Sequence, residues 1–188
     1  MLLEGVAPRD ALGRIVVRTE TTPAGTVEWK YEYDTQGRLV LVMRDDELYE
    51  RLTYDANGNR TSRETPSGVE TGMYDAQDRL LRYGPYEYTY TANGDLQTKT
   101  DTRSGDVTRY AYDVRGNLVR VDLPGGTVIE YVVDGLDRRV AKKKNGVVQK
   151  QWLYRDKLRI AAELDGNGAL VSDPSATPGC RVRFDLAG

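Results

Sequence analysis

The 188-residue chain carries 27 Lys plus Arg against 29 Asp plus Glu, a formal net charge of -2, and no histidine. That balance offers no basic field to hold a phosphate backbone, and the missing imidazole rules out Ser-His-Asp and Cys-His catalysis along with the commonest metal ligand. Tyr supplies 13 aromatics beside one Phe and two Trp, 19 Gly accompany only 39% hydrophobic residues, and the lone Cys180 has no partner for an internal disulfide, so the composition excludes an oily centre and points to strands with mixed faces.

From the N-terminus, Met-Leu-Leu-Glu has neither a basic region nor a long apolar stretch, and no later run approaches the roughly 18 apolar residues of a membrane helix, so neither a signal peptide nor a span is expected. Turn signals then follow one another. Asp10-Ala11-Leu12-Gly13 comes first, followed by Ala24-Gly25, Tyr33-Asp34 to Gly37, Asp45-Asp46, Tyr54-Asp55 to Gly58, Ser67-Gly68, Tyr74-Asp75 to Asp78 and Gly84-Pro85. Tyr90-Thr91 to Gly94, Ser104-Gly105, Tyr112-Asp113 to Gly116, Gly125-Gly126, Val133-Asp134 to Asp137, Asn145-Gly146, Arg155-Asp156 and Leu164-Asp165 to Gly168 complete the series. Eight of these share one form, Asp (Thr at 91), two variable residues, then Gly or Asp, preceded in all but the first by an aromatic or apolar residue, with starts 16 to 31 residues apart. A loose but recurrent spacing of this kind marks a repeat architecture whose insertions fall in loops.

In the shared form the carboxylate is suited to accept backbone N–H bonds two or three residues on, and the fifth position needs a positive φ that Gly enters freely and Asp78 or Asp137 tolerates. Turn former is therefore the expected role of Asp10, Gly13, Asp34, Gly37, Asp55, Gly58, Asp75, Asp78, Gly94, Asp113, Gly116, Asp134, Asp137, Asp165 and Gly168. The two sets of turns read as alternating, about ten residues from one to the next, which is hairpin spacing. Segments between them alternate as strands do: Val27, Trp29, Tyr31 and Tyr33 fall opposite Glu28, Lys30, Glu32 and Asp34, and Tyr86, Tyr88 and Tyr90 opposite Glu87 and Thr89. No segment holds a 3.6-residue period, so helix should be nearly absent. The fold class is all-β, an antiparallel meander of about 17 short strands with every Asp-x-x-Gly turn on one edge, in a sheet long enough that accumulated twist should curve it. Residues 1–172 form the repeat sheet and residues 173–188 a tail without the rhythm, carrying Pro174, Pro178 and Gly179 as a loop or a loosely ordered end would.

The Tyr-Asp-x-x-Gly-Arg/Asn-Leu units, with "YEYDTQGRLV", "YDANGNRTS" and "RYAYDVRGNLVRVD", resemble the YD or RHS (rearrangement hotspot) repeats of bacterial polymorphic toxins, insecticidal toxin complex shells and teneurins. Residues 132–172 are similar to the stretch that leads into the C-terminal core of RHS proteins. The resemblance implies a spiralling β-shell that encloses a toxin or an interior domain, of which this chain would be part of a wall. It further implies, as partners, the remainder of such a shell or a toxin cargo polypeptide, and a secreted or cell-surface location within a larger exported protein. A self-cleavage motif of Asp-Pro-x-Gly type is not carried over, because Ala176 stands where its Gly should be in Asp173-Pro174-Ser175-Ala176. The tail reads as a truncation or an altered reading frame at the end of a longer ancestral gene.

The residues themselves bear on three functions. A structural scaffold is the leading expectation. The alternative is a carbohydrate or cell-surface binding module in which Tyr86, Tyr88 and Tyr90 stack on sugar rings, against the plainer reading of a cross-strand ladder. An enzyme is disfavoured: Asp45-Asp46 sits in a turn, where adjacent carboxylates diverge rather than flank a cleft. No catalytic residue, cofactor, metal or nucleic-acid partner is expected. Lys142, Lys143 and Lys144 read as a solvated strand end rather than a docking site. Unpaired edge strands make self-association a further expectation.

Overall fold

Hairpin spacing becomes hairpins. The structure, a computed structural model, describes Leu3, Glu4 and residues 7–172, and the tail assigned to residues 173–188 lies outside the described residues. Seventeen strands run through them, with one 3-10 turn at Pro124–Gly126 and no α-helix among the described residues. The expected all-β antiparallel meander is the fold observed. The chain divides into two compact units, at Glu87 and Tyr88.

The N-terminal unit holds β1 (Leu3–Glu4), β2 (Val17–Thr22), β3 (Gly25–Tyr33), β4 (Leu39–Arg44), β5 (Glu47–Tyr54), β6 (Arg60–Thr65), β7 (Gly68–Tyr74), β8 (Leu80–Tyr83) and the first two residues of β9 (Tyr86–Tyr90). Each pairs antiparallel with the strand before it. The C-terminal unit holds the rest of β9, β10 (Leu96–Asp101), β11 (Val107–Tyr112), β12 (Leu118–Asp122), β13 (Val128–Val133), β14 (Arg139–Lys144), β15 (Val147–Tyr154), β16 (Ile160–Asp165) and β17 (Leu170–Ser172), again in successive antiparallel pairs.

One irregularity recurs at a fixed place. Glu32 faces Leu41 whereas the next residue, Tyr33, faces Leu39, so Val40 is an extra residue on β4. The same slip makes Thr61, Leu81, Val119, Val140 and Ala161 the extra residues after the corresponding turns. A bulge of this kind bends its strand and raises the local right-handed twist, so each of these six turns carries its own bend just beyond it.

The order of the turns corrects one expectation. In a meander successive turns fall on opposite edges, and in the C-terminal unit the Asp134 turn joins β13 to β14 while the Arg155-Asp156 turn joins β15 to β16. Those two share an edge. The Asp165 turn joins β16 to β17 and falls on the other edge with Asn145-Gly146. The sequence pairing was reversed because the aspartate at 156 stands one residue later in its loop than in the other copies: it is Arg155 N that bonds Arg159 O at 2.9 Å, as Asp34 N bonds Arg38 O at 2.9 Å.

Full burial is scarce. Val42 and Leu52 are the buried apolar residues described in the N-terminal unit, Val121, Ala141 and Ala162 those in the C-terminal unit, and no polar residue is buried among the described residues. A single layer of strands hides little from water, so cross-strand pairs, each worth about 0.2–1 kcal/mol, carry much of the stabilisation. Clean alternation fails on β3 for this reason: Glu28 and Lys30 are as half-buried as Trp29 and Tyr31. Lys30 bonds both Asp46 and, at 3.2 Å, Glu28, which lets the charged face cover itself.

Candidate functional site

The residues that recur, rather than any cleft, are what the chain concentrates. In the turn after β3, Asp34 Oδ1 accepts the N–H groups of Gln36 and Arg38, both at 2.9 Å, and Oδ2 accepts Arg38 Nε at 2.6 Å. Gly37 N donates to Asp34 O at 3.0 Å, which closes a tight turn whose last residue, Gly37 itself, sits at φ +84°. A side chain at that φ would be strained, so glycine suits the position. Asp10, Asp75 and Asp134 repeat the three carboxylate contacts with Arg14, Arg79 and Arg138. Asp55 and Asp113 make them with Asn59 and Asn117, whose Nδ2 groups lie 3.0 Å from Oδ2. Asp165 accepts the N–H groups of Asn167 and Ala169. At Thr91 the hydroxyl accepts Asp95 N at 3.1 Å and donates to Asp95 Oδ2 at 3.3 Å, two contacts with one residue in place of the three that the aspartates make. Gly13, Gly58, Gly94, Gly116 and Gly168 take positive φ, as do Asp78 at 60° and Asp137 at 61°.

These contacts hold the carboxyls of Asp10, Asp34, Asp55, Asp75, Asp113 and Asp134 low. The backbone N–H of Arg38 followed by its guanidinium lowers Asp34, and the same pair of groups on Arg79 lowers Asp75. The N–H groups of Arg159 and Leu158 and then the Arg159 guanidinium push Asp156 down to about 2. Acceptors fixed in this way are ionised near neutrality and have their oxygens occupied.

A second tier, not drawn from the sequence, links turns that follow one another along the same edge within a unit. The Arg38 guanidinium lies over the Tyr54 ring, 4.8 Å from its centroid, and Nη1 donates to Asp55 O at 2.9 Å. Arg138 stands likewise 4.8 Å from the Tyr154 centroid and donates to Asp156 O at 3.0 Å, while Arg14 is 4.5 Å from the Tyr33 centroid. In return each tyrosine hydroxyl donates to the carbonyl just past the preceding turn: Tyr33 to Ile15, Tyr54 to Leu39, Tyr74 to Arg60 and Tyr154 to Arg139, at 2.8 to 3.1 Å. Where the earlier turn ends in Asn, the contact changes. Asn57 and Asn59 both donate to Asp78 Oδ1 at 2.8 and 2.7 Å, and Arg115 and Asn117 both donate to Asp137 Oδ1 at 3.1 and 2.9 Å. Asp78 and Asp137 thus occupy the glycine position with a partner from the preceding turn.

Other singled-out residues fall outside this ladder. Tyr86, Tyr88 and Tyr90 are half-buried on β9, with Glu87 and Thr89 exposed between them, and none of the three is without a partner. Open ring faces for sugar stacking are not what this burial favours. Asp45 and Asp46 form the turn at φ 51° and 65°, where Asp45 Oδ1 accepts Glu28 N at 2.8 Å and Asp46 receives Lys30. Lys143 faces Glu130, Lys142 faces both Tyr131 and Lys150, and Lys144 is exposed.

Hairpins stacked through one repeated turn define a tandem β-repeat protein of the YD/RHS class. The chain belongs to the Teneurin YD-shell family, whose model matches residues 6–173. It is 33% identical to mouse (Mus musculus) Teneurin-4 over 157 residues, covering 78% of this chain and 5% of that protein. It is 31% identical over 150 residues to the "Probable deoxyribonuclease RhsB" of Dickeya dadantii (strain 3937), covering 78% of this chain and 10% of that one. Among solved structures it superposes on the "Crystal Structure of TcdB2-TccC3-TEV" with a TM-score of 0.53 and 20% identity, covering 88% of this chain and 11% of that chain; at that identity the likeness is one of fold. The chain therefore spans a small fraction of the relatives it matches.

Proposed function

We propose that this chain is a wall segment of a YD-type β-shell that encloses or presents a toxin or another partner polypeptide. The observation that carries the reading is the use of the motif's own charged residues. Asp34, Asp75 and Asp134 spend both carboxylate oxygens on their loops, and Arg38 and Arg138 spend their guanidinium groups on the next loop. Chemistry that holds hairpins in register is what a wall needs, and architecture rather than catalysis is the role we assign. The nuclease name borne by the Dickeya relative belongs to a protein of which this chain matches 10%. Membership of this family supports a secreted or cell-surface setting within a larger protein.

The test is protection. The larger protein that carries this segment would be purified with its partner polypeptide and exposed to trypsin. The partner should survive digestion in the complex and be degraded when alone; equal degradation in both would remove enclosure from the reading.

A further inference from the structure

Residues one hundred positions apart in the two units correspond. Asp34 and Asp134 open matching turns, the hydroxyls of Tyr54 and Tyr154 donate to Leu39 O and Arg139 O, and Val40 and Val140 are the extra residues of matching bulges. One face of this repeat differs in charge. In the N-terminal unit Tyr31, Val42 and Glu50 stand opposite one another across β3, β4 and β5, with Val42 buried and Glu50 paired to Arg63 at 2.9 Å. In the C-terminal unit the same three positions hold Tyr131, Lys142 and Lys150, and the ion pair is reversed, Lys150 meeting Glu163 at 2.6 Å. Lys142 is thus half-buried where its counterpart is apolar, and it faces a second cation across the strand pair, an arrangement that destabilises a sheet. Arg139 faces Val133 and Lys144 faces Ile129, which places both on the face of Tyr131 and Lys142. The Arg139 guanidinium rests 3.7 Å from the Tyr131 centroid, and neither Lys142 nor Lys144 meets an acceptor among the described residues.

We propose that Arg139, Lys142 and Lys144 form a docking row for an extended acidic segment of a partner polypeptide, with Asp or Glu at alternate positions, laid along the face of β14. The inference rests on the reading of the chain as a wall that encloses or presents a polypeptide, and it names the chemistry of the stretch held there. Charge and spacing together argue for this occupant. Three cations stand in file on one strand face, while the acids nearest them, Glu163 and Asp165, are set against Lys150. Side chains on one face of a strand recur about every 7 Å, the interval at which an extended peptide presents alternate carboxylates. The Tyr131 ring already positions Arg139, and a carboxylate seated between Lys142 and Lys150 would relieve their opposition. Lys143 stays out of the row, because it lies on the other face opposite Glu130. The lysine triplet therefore divides between the two faces instead of acting as one solvated strand end.

The test measures binding by the full chain, at low ionic strength, of a synthetic octapeptide of alternating Glu and Thr blocked at both ends. An octapeptide with the same residues sorted into a Glu block and a Thr block controls for charge alone, and an octathymidylate stands for a nucleic acid. The alternating peptide should bind saturably and more tightly than the block peptide, weaken as salt rises, and lose about tenfold when Lys142→Val and Lys144→Thr are combined, the worth of two exposed ion pairs. Lys142→Val installs the residue that its counterpart Val42 carries, so this variant should melt no lower than the parent, and its weaker binding then reports the charge and not the fold. Lys157→Ala, in an exposed loop of the same unit, should leave binding unchanged. Absence of binding by the alternating peptide, equal binding of the two peptides, binding indifferent to Lys142→Val, or binding of the octathymidylate alone would each overturn the proposal. None of these results bears on the wall-segment reading, which is decided by protection of the partner from trypsin.

Discussion

Asp156 shows how much of a turn one carboxylate holds. Its Oδ1 takes the N–H groups of Leu158 and Arg159 at 3.0 and 2.9 Å, and its Oδ2 takes the Arg159 guanidinium at 2.6 Å. Each contact is made to the ionised form, so the folded protein releases this proton more readily than the unfolded chain, whose ordinary value is 3.8 against about 2 here. A lowered folded value stabilises above the unfolded one, and that contribution disappears as pH falls toward and through the folded one. Asp34 and Asp75 are lowered in the same direction. Thermal melts should therefore weaken steadily as pH drops from about 4 to about 2, in the window those shifts set. Asp156→Asn should melt lower than the parent at pH 6 and lose less on acidification. Parallel pH curves for the two proteins would show that the carboxylate does not carry the dependence.

At the scale of the element, adjacent hairpins are matched through two kinds of junction. After an Arg-ending turn the next loop offers an aromatic face, as Arg38 finds at Tyr54. After an Asn-ending turn it offers a carboxylate at the glycine position, as Asn59 finds at Asp78. Asp78 accepts a backbone φ of 60°, which glycine would adopt more freely, and its compensation is two donors from the neighbouring loop. Asp78→Gly should thus relieve strain while stranding two amides, and Asn59→Ala should remove one donor. A double-mutant cycle of the two should return a coupling of about 0.5 kcal/mol, because both act through one exposed contact; simple additivity in urea melts would show that the junction does not couple. This level was only partly legible beforehand. Turn residues every ten positions gave away the hairpins and the strand number, since Asp and Gly announce turns locally. The Arg38–Tyr54 and Asn59–Asp78 contacts join residues one repeat apart, which no local signal reveals. The Arg155-Asp156 loop was placed on the wrong edge because its aspartate sits one residue late, and the half-buried Glu28 and Lys30 hid the alternation of β3 behind ion pairs.

For the whole molecule the consequence is that stability is assembled from neighbours. The contacts of the ladder run from one turn to the following turn of the same unit, as in Arg14 to Tyr33 and Arg38 to Tyr54, or Arg138 to Tyr154. Few residues are buried enough to tie distant strands together, the clearest being Val42 and Leu52 in one unit and Val121, Ala141 and Ala162 in the other. A chain built in this way behaves as a sum of repeat and junction terms rather than as one core. Arg38→Ala removes the contacts with Tyr54 and Asp55 O, Arg138→Ala those with Tyr154 and Asp156 O, and the two sets share no residue. Each substitution should destabilise by about 1 kcal/mol, the worth of a half-exposed cation–π contact and a hydrogen bond together. The double variant should fall at the sum of the two within about 0.5 kcal/mol. Hydrogen exchange adds the spatial readout: Arg38→Ala should raise exchange at β4 to β6 and leave β14 to β16 unchanged, with the reverse for Arg138→Ala. A substitution that instead loosened both units equally would mean that the chain unfolds as a single cooperative body, and that the neighbour-by-neighbour account of its stability is wrong.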